Sequence, residues 1–396
     1  MRMTSSLAVC IAAILGVSAL LAQSTSPSVA TTSSTPSPVA RVYVTSQASA
    51  TAAPEISAYN ADSEGRLTSI AGGPWPGIAS ATTGTYFFAL DQTFRNAISY
   101  KVASNGALTK VANYDLADRA PSGCANYDTF SPPTLDHTGA TLYATGGEFS
   151  SGTGDGTCTD NAVTQAYRIN KDTGDLTYLG SVDSFYEVTF DGNNMYTFSG
   201  GCYCKSADQD TDIIGLQRES DGMLALATTT SDQPMGAPSG SSWAASETAA
   251  DPTDHLAVAL EPAQSPWHSL LAAYTIGSNG SLTTTNTSDQ MPEIGDLIGP
   301  MQMSPSGLLL AVADNTEGLH VMHFNGANPI TPYALLLSNT QVLSLAWDNA
   351  NHLYATTTGG KLYVFTVTPT SWSQAPGSPY SISYAGDLVV RSLTSQ

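Results

Sequence analysis

The chain has 396 residues, 41% hydrophobic and 12% charged, with 34 glycines and 22 prolines. That is ample apolar material for one large core, and the abundance of turn formers suits an all-β domain of many short strands. With 33 acidic against 13 basic residues the net charge is −20, which repels phosphate backbones and anionic bilayers and so excludes nucleic acid and membrane surfaces as partners.

The chain opens on an address. Arg2 supplies a short positive region, Leu7 to Ala22 is almost continuously apolar, and Ala22 is a small residue ahead of Gln23. This is the pattern of a secretory signal peptide over residues 1–22. The apolar run is short for crossing ~30 Å of hydrocarbon. Cys10 follows Val9, a residue too large for a lipoprotein cleavage site, so no lipidation is expected. The alternative is an uncleaved anchor. Residues 23–40 form a Ser/Thr/Pro-rich linker with little to bury. The remainder, 41–396, reads as a single soluble domain, secreted or periplasmic and monomeric. Past the leader four cysteines remain, Cys124, Cys158, Cys202 and Cys204. An even number in an exported chain suggests disulfides, with three pairings open.

A repeat then dominates. Ile56-Ser-Ala-Tyr59 leads to Gly65-Arg-Leu-Thr68, and Ile98-Ser-Tyr100 leads to Gly106-Ala-Leu-Thr109. The same pattern recurs at Tyr167 with Gly174, Leu216 with Gly222, Tyr274 with Gly280, and more loosely at Val321 with Gly326. Alternating apolar residues make a half-buried strand, and glycine accepts the positive φ of a tight turn. These glycines recur about every 52 residues, the period of a four-stranded blade. A second hairpin precedes each first one, opening at Asp136, Asp191, Asp251, Ser304 and Asp348. Two hairpins per period predict a seven-bladed β-propeller with four-stranded antiparallel blades. The first blade lacks its innermost strand, and Leu388-Val-Val-Arg-Ser392 can supply it from the C-terminal end, closing the ring.

With these patterns the chain from Arg41 to Leu393 resembles the lactonase-type seven-bladed propellers, which include bacterial 6-phosphogluconolactonases and fungal muconate cycloisomerases. The shared features are Tyr-x-Ile/Val, Gly-x-Leu-Thr and Asp/Ser-x-x-Gly-x-x-Leu-Tyr, which build blades rather than sites. The resemblance implies a hydrolase acting on a lactone at one mouth of the central channel. Three family features bear on this. The Pro-His-x-His stretch entering the third blade is replaced by Ala125-Asn-Tyr-Asp-Thr-Phe-Ser-Pro-Pro133, without histidine. The Gly-Pro-Arg-His stretch is replaced by Ser242-Trp-Ala-Ala-Ser-Glu247, without arginine or histidine. The glutamate after the second strand of that blade is matched by Glu261. Lactone hydrolysis needs a base near water and a donor near the carbonyl oxygen. Glu261 fits the first role; His137 or His268 could serve the second only from loops.

The candidate catalytic residues are therefore Glu261, Glu247 in the innermost strand of the same blade, and Glu148 at the matching strand end of blade three. The alternative for each is a solvated loop carboxylate or an inter-blade contact. Asp208, Asp210 and Asp212 with Glu219 have the oxygen spacing of a calcium loop, but Ile213 stands where that loop requires glycine. His320 and His323 lie three apart on a strand and point to opposite faces. No metal or cofactor is expected. Trp75, Trp243, Trp267 and Trp372 read as packing between blades, with ligand stacking as the alternative. The leading expectation is a lactonase-like propeller that hydrolyses a lactone or binds a carbohydrate-like small molecule at the channel mouth. Export argues against a 6-phosphogluconate role, because that substrate is cytosolic. The other expectation is a non-catalytic recognition or scaffold propeller with a protein partner.

Overall fold

In the computed structural model the described residues are 37–116, 127–129, 132–148, 163–183, 188–199, 213–227, 231–236, 243–262, 268–295, 298–314 and 316–395. They form seven antiparallel sheets, each a path of four strands numbered outward from the ring axis. In blades two to seven the path follows chain order, from Ile78–Thr82 outward to Leu108–Asp115 in blade two and from Val342–Trp347 outward to Ser371–Gln374 in blade seven. Blade one differs as the repeat predicted. Its inner strand is Leu388–Ser392, paired antiparallel to Ala40–Ser46 with Val42 opposite Val390. Among the described residues no helix is long and apolar enough to cross a membrane. The four cysteines and Asp208 to Asp212 lie outside the described residues.

The core is divided among the blade junctions. Seven apolar clusters each join residues of two neighbouring blades, such as Leu319 and Val321 with Leu353 and Phe365 between blades six and seven. Second strands are buried on both faces, as in Tyr86–Leu90 and His352–Thr357, so their side chains feed two junctions at once. Trp75 and Trp243 belong to these clusters, the latter donating its indole N–H to the Pro234 carbonyl at 3.1 Å.

Two local devices fix the blades. At the first turn a carboxylate gathers backbone amides: Asp191 Oδ1 accepts from Met195 at 2.7 Å and Tyr196 at 3.0 Å, and Asp91, Asp136, Asp251 and Asp348 do the same. Ser304 replaces the carboxylate in blade six, accepting from Leu309 at 3.1 Å. Asx-type capping of this kind is why an acidic residue recurs there. At the second turn the glycines Gly65, Gly106, Gly174, Gly222, Gly280 and Gly326 all have positive φ.

These glycine turns also lie against the preceding blade. Tyr43 of blade one donates its hydroxyl to the Gly106 carbonyl of blade two at 2.9 Å, Tyr86 to Asp172 at 2.6 Å, and Tyr143 to Gly222 at 2.7 Å. A Cβ on Gly174 would overlap the Tyr86 ring. Gly174→Ala therefore combines a left-handed backbone with a forced shift at the blade two–three junction, and should cost about 2–3 kcal/mol. The fall in urea midpoint at unchanged slope measures it. A shift under half that size would mean the junction is loosely packed.

Candidate functional site

The inner strands of all seven blades present residues to one central cavity of about 600 Å³. Their lining surfaces are shaped by a shared irregularity. The pairing of inner with second strand slips between Ala79 and Ala81, Ala245 and Glu247, Ile298 and Met301, and Val342 and Ser344. A bulge adds a residue to one strand and re-aims its side chain. The residues inside these slips, Ser80, Ser246, Gly299, Pro300 and Leu343, all line the cavity.

The channel opens at two mouths. On the side where inner strands begin, a shallow depression of about 340 Å³ is bordered by Gln47, Thr358, Tyr384 and Asp387. Towards the ends of the inner strands the channel narrows to a space of about 220 Å³, with His137 at its rim and Thr134, Thr189 and Thr248 shared with the main cavity. His137 is exposed, its ring facing Phe190 at 6.1 Å.

Among the described residues two carboxylates line the main cavity, Glu247 from blade five and Asp387 directly ahead of the closing strand of blade one. Among the described residues, no lysine, arginine or histidine lines it, and the other polar lining is neutral, including Gln302, Ser344 and Thr248. Asp387 sits in low-dielectric surroundings, and burial pushes its carboxyl from 3.8 up to about 6 against the opposing pull of its own backbone amide. A carboxyl perturbed by burial inside a cleft makes Asp387 a functional-site candidate.

The sequence candidates fall out differently. Glu247 lines the cavity. Glu261 ends the second strand of blade five opposite Ala244, accepts the Ser269 hydroxyl at 3.2 Å and is not among the lining residues. Burial raises its carboxyl above the ordinary value, with the Ser269 bond opposing. Glu148 ends the corresponding strand of blade three, pairing in register with Tyr127; its side chain lies outside the described residues. His268 is exposed, 3.2 Å from Glu293. Pro132 and Pro133, from the region matched to the family's first histidine motif, do face the cavity. Asp387 was missed because it lies outside the repeat. The one signal for it is an acidic residue directly ahead of the strand that closes the ring.

No family model and no curated protein matches the chain. Solved structures do match in fold. A candidate 6-phosphogluconolactonase from Bacteroides uniformis superposes with a TM-score of 0.57 at 11% identity, covering 89% of this chain and 99% of its own. A hypothetical selenium-binding protein from Sulfolobus tokodaii gives 0.57 at 10%, covering 90% and 94%. A protein from Lactobacillus plantarum gives 0.54 at 11%, covering 89% and 99%.

Proposed function

We propose that this propeller, which shares its architecture with lactonase-like proteins, is exported and binds a small, uncharged, polyhydroxylated molecule of the sugar-lactone class in its central channel. The observation that carries this is the lining: among the described residues, two carboxylates, several hydroxyl side chains, the Gln302 amide and no cation. Such a wall offers acceptors and neutral donors to hydroxyl groups. It repels phosphate, so a phosphorylated sugar lactone fits it poorly. The apolar N-terminal 22 residues support export.

A second reading, lactone hydrolysis, is favoured by Asp387 alone. A carboxylate titrating at about 6 is well matched to accept a proton from attacking water at neutral pH. Hydrolysis would then rise with pH through about 6 and vanish in Asp387→Asn. Calorimetric titration of the purified protein with neutral sugar lactones and their 6-phosphorylated counterparts tests both readings. Binding of the neutral set alone supports the first; turnover lost in Asp387→Asn adds the second. Preference for the phosphorylated set would overturn both.

The same residue has a stability signature. Its folded-state value lies above the unfolded one, so the folded state holds the proton more tightly. Stability is greatest below about pH 4 and falls as pH rises through about 6, by on the order of 2–3 kcal/mol for this group alone. Asp387→Asn should remove that step and make the protein more stable than wild type above pH 6. A parallel pH–stability curve for both proteins would show that Asp387 is well solvated.

A further inference from the structure

We propose that Asp314, Glu317 and His320 on blade six form a binding site for a divalent transition cation of the zinc class, separate from the channel. Asp314 ends the second strand of that blade, Leu309–Asp314, and His320 lies in the third, Gly318–His323, with Glu317 in the turn between them. One ligand atom from each of the three lies within 4.8 Å of the others. None of the three lines the channel cavity.

The turn is built to hold Asp314 rather than to neutralise it. Asp314 is fully buried. Its Oδ1 accepts the Thr316 amide at 2.5 Å, the Thr316 hydroxyl at 2.6 Å and the Glu317 amide at 2.8 Å. Its Oδ2 lies against the Gly295 backbone amide and meets no side-chain donor among the described residues. A buried carboxylate oxygen in this state keeps acceptor capacity that a cation can meet. His320 Nε2 is buried without a hydrogen bond.

The spacing of the other two ligands points the same way. His320 Nε2 and Glu317 Oε2 stand 3.4 Å apart, without hydrogen-bond geometry. Around a tetrahedral ion with metal–ligand bonds of about 2.0–2.1 Å, neighbouring ligand atoms are about 3.3–3.4 Å apart. The pair therefore has the separation of two ligands sharing one ion. Imidazole with carboxylates suits zinc over magnesium or calcium, which prefer all-oxygen sets. Glu317 is 58% exposed, which leaves the fourth position open to water.

His323, which the sequence pairs with His320, takes no part. Its ring packs on Tyr333 at 4.4 Å. The ligands that complete the site are one acidic residue on the neighbouring strand and one in the turn, so a reading that looks for paired histidines does not find them.

The test uses the full mature protein, stripped with a chelator and titrated with Zn²⁺, with Mg²⁺ and Ca²⁺ in parallel. One equivalent of Zn²⁺ should bind and raise the melting temperature, while Mg²⁺ and Ca²⁺ at the same concentration leave it unchanged. Glu317→Gln changes an exposed side chain and should fold normally, yet weaken Zn²⁺ at least tenfold; His320→Ala should abolish this binding. Co²⁺ substituted for Zn²⁺ should show the intense visible absorption of a tetrahedral site, lost in His320→Ala. Zn²⁺ binding of equal strength in wild type, Glu317→Gln and His320→Ala would place the ion elsewhere and overturn the assignment, as would the absence of any binding to wild type.

Discussion

A chain ending at Asp387 is expected to lose cooperative folding. The nine residues removed include the whole inner strand of blade one, Leu388–Ser392, which pairs with Ala40–Ser46 over five positions. Leu388 belongs to the apolar cluster between blades seven and one, and Val389 packs against the one between blades one and two. Removing the strand therefore exposes two junctions together and leaves Ala40–Ser46, a strand almost wholly buried, as an open edge. Losses of this extent are comparable with the whole stability of a domain, about 5–15 kcal/mol, and the new edge is a template for aggregation. Calorimetry and light scattering on the truncated protein check this. A single sharp transition within a few degrees of wild type would show that the ring holds without its clasp.

Asp348→Ala should be the most damaging single substitution among the turn carboxylates. Asp348, His352 and Tyr354 are all fully buried in blade seven. Oδ1 accepts the amides of Ala350 and His352, both at 2.8 Å. Oδ2 accepts His352 Nδ1 at 2.8 Å and the Tyr354 hydroxyl at 2.9 Å. Alanine leaves four donors without an acceptor in a site closed to water. The expected cost is about 4–5 kcal/mol, at the upper end for one side chain. Asp91→Ala provides the control. That carboxylate, in the equivalent turn of blade two, is bonded to Thr93 and Asn96 near solvent, and water can replace it, so the loss should be about 1 kcal/mol. Equal losses at the two positions would mean that burial does not set the cost.

The parts of this fold that were legible are those encoded within a few residues. Each Asp or Ser turn and each glycine turn carries its own chemistry, so Asp191 and Gly174 announce a hairpin without knowledge of the rest. The closing strand was legible for another reason: one blade lacked a strand and one strand lacked a blade. The channel was not legible in the same way. Its wall is made by inner strands, and among the described residues those of blades three and four are short, Tyr127–Thr129 with Thr134–Leu135 and Thr189–Phe190. In four other blades they are bulged, which breaks the alternation that tells which side chains face inward. Glu247 was found because a family motif pointed to its strand. Glu261 stands at the strand end the resemblance indicated, where it accepts the Ser269 hydroxyl. Asp387 belongs to no repeat, and only closure of the ring brings it to the channel.

Most tyrosine bonds between blades run forward along the chain, while Tyr100 of blade two reaches back to the Pro76 carbonyl of blade one. Tyr43, Tyr86 and Tyr143 each reach from an earlier blade to a turn of the following one. For these three tyrosines the acceptor belongs to a later segment of the chain, so each hydroxyl is satisfied only once the following blade is in place. The junction between blades seven and one joins the first and last blades of the ring. There the turn of Gly65 lies on His352 and Val364, so the blade that comes first in the sequence is complete only when the strand Leu388–Ser392 has paired with it.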